Sequence, residues 1–236
     1  MGLTPAAPHL EKFQTFILVA PILLLSVVAH EYAHGYAALR QGDTTAQSLG
    51  RLTWNPIKHI DPFLTVILPL IMFVTVGVAF GGAKPVPVDP SKYRNYRRGD
   101  IIVSLAGIVV NVILAVLLTV MIVLLGLLGK VLPALGGTLS LLQMMFAYGV
   151  TINLLLAVFN LLPIPPLDGS HVMKHLLPAR WHVGYERLAG AGFLILILLV
   201  TFGRGILFTL LAPVFFLNSI AERLALPFLL SSPWAT

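Results

Sequence analysis

The sequence predicts an all-α polytopic membrane protein, and three observations predict it. Of its 236 residues, 58% are hydrophobic and 10% charged, with a mean hydropathy of +0.93. An average soluble domain is about half apolar and about one quarter charged. The apolar residues fall into runs near the length of about 20 residues that a bilayer-spanning helix needs. Lysine and arginine gather in some of the connections and avoid others. This composition excludes a soluble enzyme, a disordered regulator and a nucleic-acid-binding domain. The formal charge of +6 marks membrane-flanking loops instead.

Four runs and a terminal region follow in order. Segment A, residues 13–39, is apolar as far as Ala29 and then carries His30, Glu31 and His34. It has no cleavage-like small-residue site and reads as a retained helix, not a signal peptide. Segment B, 63–80, has Pro69 near its middle and Gly81-Gly82 at its end. Segment C, 101–129, is the clearest spanning helix, and segment D, 141–162, is the next. The last apolar region, 188–230, is interrupted by Gly203-Arg204-Gly205, which predicts two helices or one helix and a re-entrant piece. Four to six membrane segments are therefore expected. The connections, 40–62, 82–100, 130–140 and 168–187, are too short for a separate soluble domain. The chain reads as one membrane domain over 1–236.

The bases orient it. Lys84, Lys92, Arg94, Arg97 and Arg98 precede segment C, and Lys174, Arg180 and Arg187 follow segment D. Only Lys130 lies between the two. Positive-inside reasoning puts the first two groups in the cytoplasm, so that C runs outward and D inward.

His30-Glu31-Tyr32-Ala33-His34 is an H-E-x-x-H pattern. Helical spacing of four puts both imidazoles on one face, within reach of one ion, with Glu31 beside them to act on a water that the ion holds. Ionisable groups inside a membrane segment cost several kcal/mol and are functional by default. The bland alternative is a pair of interfacial histidines with Glu31 paired to a base such as Arg40. The chain has no cysteine, so a metal can be held only by His, Asp, Glu or water. A catalytic zinc needs a third protein ligand. The candidate is Asp168, at the end of Asn160-Leu161-Leu162-Pro163-Ile164-Pro165-Pro166-Leu167-Asp168-Gly169, where three prolines break the helix. An ordinary helix-capping carboxylate is the alternative. His171 and His175 are also four apart, but lack an adjacent base and read as a solvated amphipathic turn.

These residues resemble the site-2 protease family of intramembrane zinc metalloproteases, peptidase family M50, in a short form without a PDZ domain. The resemblance covers roughly residues 20–180. His30, Glu31 and His34 match the family's zinc-binding helix, and 160–169 match its second motif, in which the aspartate is the third ligand. Gly82 to Val88 looks like the segment before the next core helix. Ala106-Gly107-Ile108-Val109-Val110-Asn111 resembles that helix's signature, with Ile108 where the family usually has proline.

The resemblance implies a three-helix catalytic core made of A, C and D, within about 13–187. It implies one Zn2+ held by His30, His34 and Asp168, and Glu31 as general base. It also implies a transmembrane protein substrate within the lipid bilayer and a site near the cytoplasmic face of the cell membrane. Asn160 then binds substrate backbone or holds the active-site turn with Pro163 and Gly169; a polar helix-end residue is the plainer reading. Asn111 reads as helix–helix glue. If A ends inside and C begins inside, B cannot cross once. It is then a re-entrant hairpin turning near Pro69, or else A is oriented the other way. The stretch Ala83 to Val88 offers an extended edge for strand addition by an unwound substrate, or is only a rigid proline-rich connector. Two other functions compete: a transporter or metal carrier using the same polar cluster, and a non-catalytic scaffold.

Overall fold

The computed structural model describes residues 8–76 and 82–231. Among them are α1 (Pro8–Gln41), α2 (Thr45–Ser48), α3 (Leu68–Val76), α4 (Tyr96–Val131), α5 (Gly136–Asn160), α6 (Asp168–Leu176), α7 (Ala179–Thr201), α8 (Arg204–Leu210) and α9 (Ala212–Ala225). No strand occurs among the described residues. Leu18–Gln41, α4, Pro133–Asn160 and Arg180–Thr201 are each long and apolar enough to cross a membrane. Arg204–Leu210 and Ala212–Phe228, bent by 49°, pass the same test together. This is a polytopic all-α membrane protein, and the break at Gly203 falls where the glycines predicted it.

Helix α4 is the spine. Asn95 starts it by accepting a hydrogen bond from Arg98 N–H, 3.0 Å. Its 36 residues run for about 54 Å. That exceeds the roughly 30 Å hydrocarbon thickness, so one or both ends of the helix project beyond it. One stripe is buried, through Val103, Gly107, Asn111, Ala115, Leu118 and Ile122. The opposite face, including Val109, Val112, Val116 and Val120, is exposed. Helix α5 follows after a single 3-10 turn and runs back beside it. Ile22 of α1 joins Ala115, Leu118 and Ile122 of α4, Val150 and Leu154 of α5 and Val214 of α9 in the main apolar cluster. Helices α1, α4 and α5 thus form the expected three-helix core. The chain continues as α4 through Ile108 without a break.

Among the described residues, segment B is not one of the helices long and apolar enough to cross a membrane. A π-helical turn, Pro62–Ile67, leads into α3. Gly82 then lies back beside the start of that turn: its N–H donates to Leu64 O, 2.9 Å, and its carbonyl accepts from Thr65 Oγ1, 2.8 Å. The start of segment B and the residue that follows it therefore lie side by side, which fits the re-entrant reading. The turn is not at Pro69, however. Pro69 lies inside a continuous helical run, 62–76, and the Leu64 carbonyl five residues before it accepts from Gly82 N–H instead. Residues 77–81, at the end of segment B, lie outside the described residues. The apolar α3 packs on α7 and α8 through Leu68, Met72, Val200 and Leu207.

The expected connection at 168–187 is largely helical. It contains α6 and the start of α7, because Asp168 and the spacing of Val172, Lys174 and His175 suit a short amphipathic helix.

At its C-terminal end α1 stops in a Schellman motif. Gly42 takes φ +111°, Gly42 N–H donates to Leu39 O, and Asp43 N–H donates to Ala38 O, 3.0 Å. The Asp43 side chain is wholly buried. It accepts from Thr45 N–H, 2.9 Å, from Thr45 Oγ1, and from Asp89 N–H, 2.7 Å, tying the end of α1 to the strap that precedes α4. Burial alone would push the Asp43 carboxyl up; the Thr45 and Asp89 hydrogen bonds, with Lys92 nearby, hold it below the ordinary carboxylate value. Asp43→Ala should cost about 1–3 kcal/mol, read by thermal unfolding in detergent. The difference from wild type should be full above pH 3.8 and vanish as the pH falls through the lowered folded value.

Candidate metal centre

His30 and His34 stand one turn apart on α1, about 16 and 10 Å in from its Gln41 end. Each ring is held through Nδ1. His30 Nδ1 lies 2.6 Å from Asn111 Oδ1 on α4. The amide of Asn111 cannot be reversed without cost, because its Nδ2 donates to Asn153 Oδ1 on α5, 2.9 Å. Asn153 Nδ2 in turn donates to Ser26 Oγ and to Gly149 O, each 2.8 Å, and Ser26 Oγ donates to Ile22 O, 2.7 Å. Asn111 and Asn153 are 0% exposed, so nothing else can satisfy them. This chain of donors assigns the proton of His30 to Nδ1. His34 Nδ1 lies 2.7 Å from Val103 O, an acceptor only, so its proton is on Nδ1 as well.

Both Nε2 atoms therefore present lone pairs. They are 3.0 Å apart, and each is 3.3 Å from Asp168 Oδ2. Asp168 Oδ2 is buried and has no hydrogen-bond partner. Three acceptors facing one another with no donor among them repel, and a cation removes the repulsion. Ligands at about 2.0–2.1 Å from a tetrahedral zinc stand roughly 3.3 Å apart, so the set fits that ion. Among the described residues this is the one cluster of three His, Asp or Glu groups close enough to share a metal.

Asp168 reaches the histidines because the chain breaks after α5. Residues 161–167 form a series of turns, closed by Ile164 N–H to Leu162 O, 2.8 Å, and Leu167 N–H to Ile164 O, 2.9 Å. Leu162 and Leu167 pack on Leu196 of α7. A Cβ on Gly169 would lie 2.2 Å from Leu161 O, so only glycine lets the first turn of α6 come this close. Gly169 is thus the residue at which the turn and α6 come closest. Pro163 is exposed, and its carbonyl accepts from Tyr185 Oη, 2.9 Å. The Asn160 amide turns back to donate to Leu156 O of its own helix, 3.0 Å, and does not join the histidine cluster.

Glu31 is half-buried and is not paired to Arg40. Its Oε2 accepts from Val86 N–H, 2.8 Å. Val86 belongs to the extended segment 82–89, which is fastened at three more points. Lys84 N–H donates to His59 O, 2.8 Å, and Arg51 Nη2 donates to Lys84 O and Pro85 O, 3.1 and 3.2 Å. This anchoring favours the connector over the strand-addition edge. Lys84 and Val86 spend their N–H groups on the protein, while Pro85 and Pro87 have none to offer a substrate.

His171 and His175 do not form a rival metal site; both turn to Asp100. Tyr32 stacks on Trp54, ring centroids 4.7 Å apart, as a packing residue.

Sequence reasoning missed Asn153 and Ser26, and met Gly107 only as part of a helix signature. Asn153 had a signal, being an amide in the middle of an apolar helix. The signature gave Gly107 no role, because that role is spatial: a Cβ there would lie 2.5 Å from His34 Nε2 and 2.6 Å from His30 Cε1.

A sequence model of the family described as "Peptidase family M50" matches residues 18–202. The chain is 38% identical over 180 residues to the Bacillus subtilis (strain 168) protein named "Putative zinc metalloprotease YwhC", covering 76% of this chain and 78% of that protein. It is 34% identical over 189 residues to "Putative zinc metalloprotease Rip2" of Mycolicibacterium smegmatis, covering 78% and 67%. The Mycobacterium tuberculosis (strain H37Rv) protein of the same name is 32% identical over 212 residues, covering 89% and 77%. No solved structure matches the chain.

Gly107→Ala should gain helix propensity, by about 1 kcal/mol, and still lose the metal. Elemental analysis should find little zinc in a variant whose far-ultraviolet circular dichroism is unchanged. Asn111→Ala frees the His30 ring and should weaken zinc binding about 10–100-fold in competition with a chelator.

Proposed function

The chain belongs to peptidase family M50, and on that premise we propose that it is an intramembrane zinc metalloprotease of the site-2 type. It hydrolyses a peptide bond in or next to a transmembrane segment of a membrane-protein substrate. The observation that carries this reading is the convergence of three proton-free ligand atoms beside Glu31, sunk within a bundle of apolar helices.

His30 Nε2, His34 Nε2 and Asp168 Oδ2 would hold one Zn2+ per chain. The bound ion supplies acidification of a water and polarisation of the scissile carbonyl. Glu31 is the general base. Val86 N–H occupies its Oε2, so the proton of the attacking water is taken at Oε1 and later given to the leaving nitrogen. His30 and His34 do not compete for that proton, because their Nδ1 positions are already protonated and bonded. Asn111, Asn153 and the Val103 carbonyl hold the rings in advance, so the ligands need no reorganisation.

The substrate is a transmembrane helix that must unwind locally, since its carbonyls are otherwise bonded within the helix. Two stretches of non-helical backbone, 82–89 and 161–167, flank the centre. Such backbone is tolerated at membrane depth where it lines protein or a water-filled cavity, which supports water entry on that side. Lys84, Lys92, Arg94, Arg97, Arg98, Lys174 and Arg180 belong to the connections on the same side, as expected for a cytoplasmic face of the cell membrane. Residues 1–236 act as one membrane protease domain, with the catalytic core in 13–187 and flanking helices in 188–230.

Glu31→Gln should retain about one zinc per chain and lower cleavage of a membrane-anchored reporter about 10²–10⁴-fold, the range of general-base catalysis. Wild-type cleavage by that variant rules the mechanism out.

A further inference from the structure

Helix α6 presents a mechanical problem that its own sequence does not solve. It carries Asp168 at its first position, and the placing of Asp168 Oδ2 decides whether the three ligand atoms meet. Yet only Gly169 and Ser170 of its nine residues are buried. Val172 and Met173 are only half-buried and belong to none of the apolar clusters, so apolar packing holds its last two turns weakly.

Polar contacts with the first turns of α4 hold them instead. Asp100 is 4% exposed, and its side chain is one of the few buried carboxylates in the chain. His175 Nε2–H donates to Asp100 Oδ2, 2.7 Å. His171 Nδ1 lies 3.4 Å from Asp100 Oδ1. One carboxylate thus receives two histidines one turn apart on α6. Arg97 Nη2 donates to His175 O, 2.9 Å, meeting a carbonyl of the last turn that has no partner within the helix. The Tyr96 ring stands edge-on to the His175 ring, centroids 5.4 Å apart, and Tyr96 Oη accepts from Lys174 Nζ, 3.3 Å. The Asp100 carboxylate raises the His171 pKa above its ordinary value, so the pair is charge-assisted.

The same α4 also bears Val103, Gly107 and Asn111, which position His34 and His30. One rigid helix therefore carries the supports of all three ligands: Asp100 for α6, Val103 for His34 and Asn111 for His30. Asp100 touches neither the ligand atoms nor Glu31. Its leverage comes through the helix it grips.

We propose that Asp100 is a positioning residue of the metal centre, holding Asp168 in register with His30 and His34 by clamping α6 through His171 and His175. This rests on the zinc-protease reading of the same centre. It also accounts for the two histidines that resemble a second metal pair and are not one.

The test uses the full chain in detergent, with two readouts: zinc affinity by chelator competition, and amide hydrogen exchange of 168–176 in metal-free protein. Asp168→Ala is the control for the parent reading. Asp100→Asn should weaken zinc binding about 10–100-fold, as loss of an outer partner does. It should also speed exchange in α6 while exchange in the middle of α1 and α5 stays at the wild-type rate. His175→Gln keeps a donor near the position of Nε2 and should stay close to wild type, whereas His175→Leu should behave like Asp100→Asn. The double variant Asp100→Asn/His175→Leu should bind zinc no more weakly than the worse single one, because both break one clamp.

Faster α6 exchange with unchanged zinc affinity overturns the proposal and leaves Asp100 a purely structural residue. Unchanged exchange and affinity overturn it too. If Asp100→Asn does not fold, the His175→Gln and His175→Leu pair decides: equal zinc affinities overturn the proposal. A zinc affinity untouched by Asp168→Ala marks the failure of the parent reading, and the positioning proposal falls with it.

Discussion

Two imidazole lone pairs and one carboxylate oxygen must meet inside a bundle of apolar helices, where their repulsion is poorly screened. The remainder of the structure is arranged around that constraint. Each histidine could turn its ring and relieve the crowding. The hydrogen bonds at Nδ1, from His30 to Asn111 and from His34 to the Val103 carbonyl, prevent it. Asn111 is itself fixed by Asn153, and Asn153 by Ser26 and the Gly149 carbonyl, so the constraint passes through α4 and α5 and returns to α1. A half-satisfied network at this depth would cost more than an apolar core. All its members are paired.

The bilayer explains why such a network can also hold the fold together. Lipid tails are as apolar as leucine, so burying leucines between helices gains little. Close packing and interhelical hydrogen bonds must do it. Small residues admit that packing where the site needs it. Gly107 lets α4 touch both histidines, and Gly169 lets α6 enter beneath the carbonyl of Leu161. The leucine- and valine-rich outer face of α4 is solvated by lipid and contributes length rather than specificity.

At the end that carries the site the molecule changes character. Beyond the apolar spans, charge takes over from packing. Asp43 gathers the end of α1 and the strap before α4, and Asp100 gathers α6. The strap itself gives a backbone N–H to Glu31. The groups that would do chemistry therefore sit at a seam, between a rigid helical bundle and an irregular layer built on carboxylates.

Much of this was legible in the residues. Composition and run length determined a polytopic helical membrane protein, and the break at Gly203 was visible as glycine. Charges in a membrane segment are costly, so His30, Glu31 and His34 stood out, and an aspartate after a proline-broken helix was the natural third group. The orientation of its neighbours left two readings of segment B, a re-entrant hairpin or a reversed segment A. Pro69 did not mark a turn, because a proline that a helical run tolerates looks the same in sequence as one that ends it. Only the tertiary structure decided what lies opposite what. Gly107 is one of 20 glycines until α4 is laid against α1. Asn153 is a stray polar residue until it faces Asn111. His171 and His175 have the spacing of metal ligands until Asp100 is found between them and the helix behind. Periodicity reports which face of a helix is apolar, but a ligand set depends on distances between helices, and those arise only when the faces are packed.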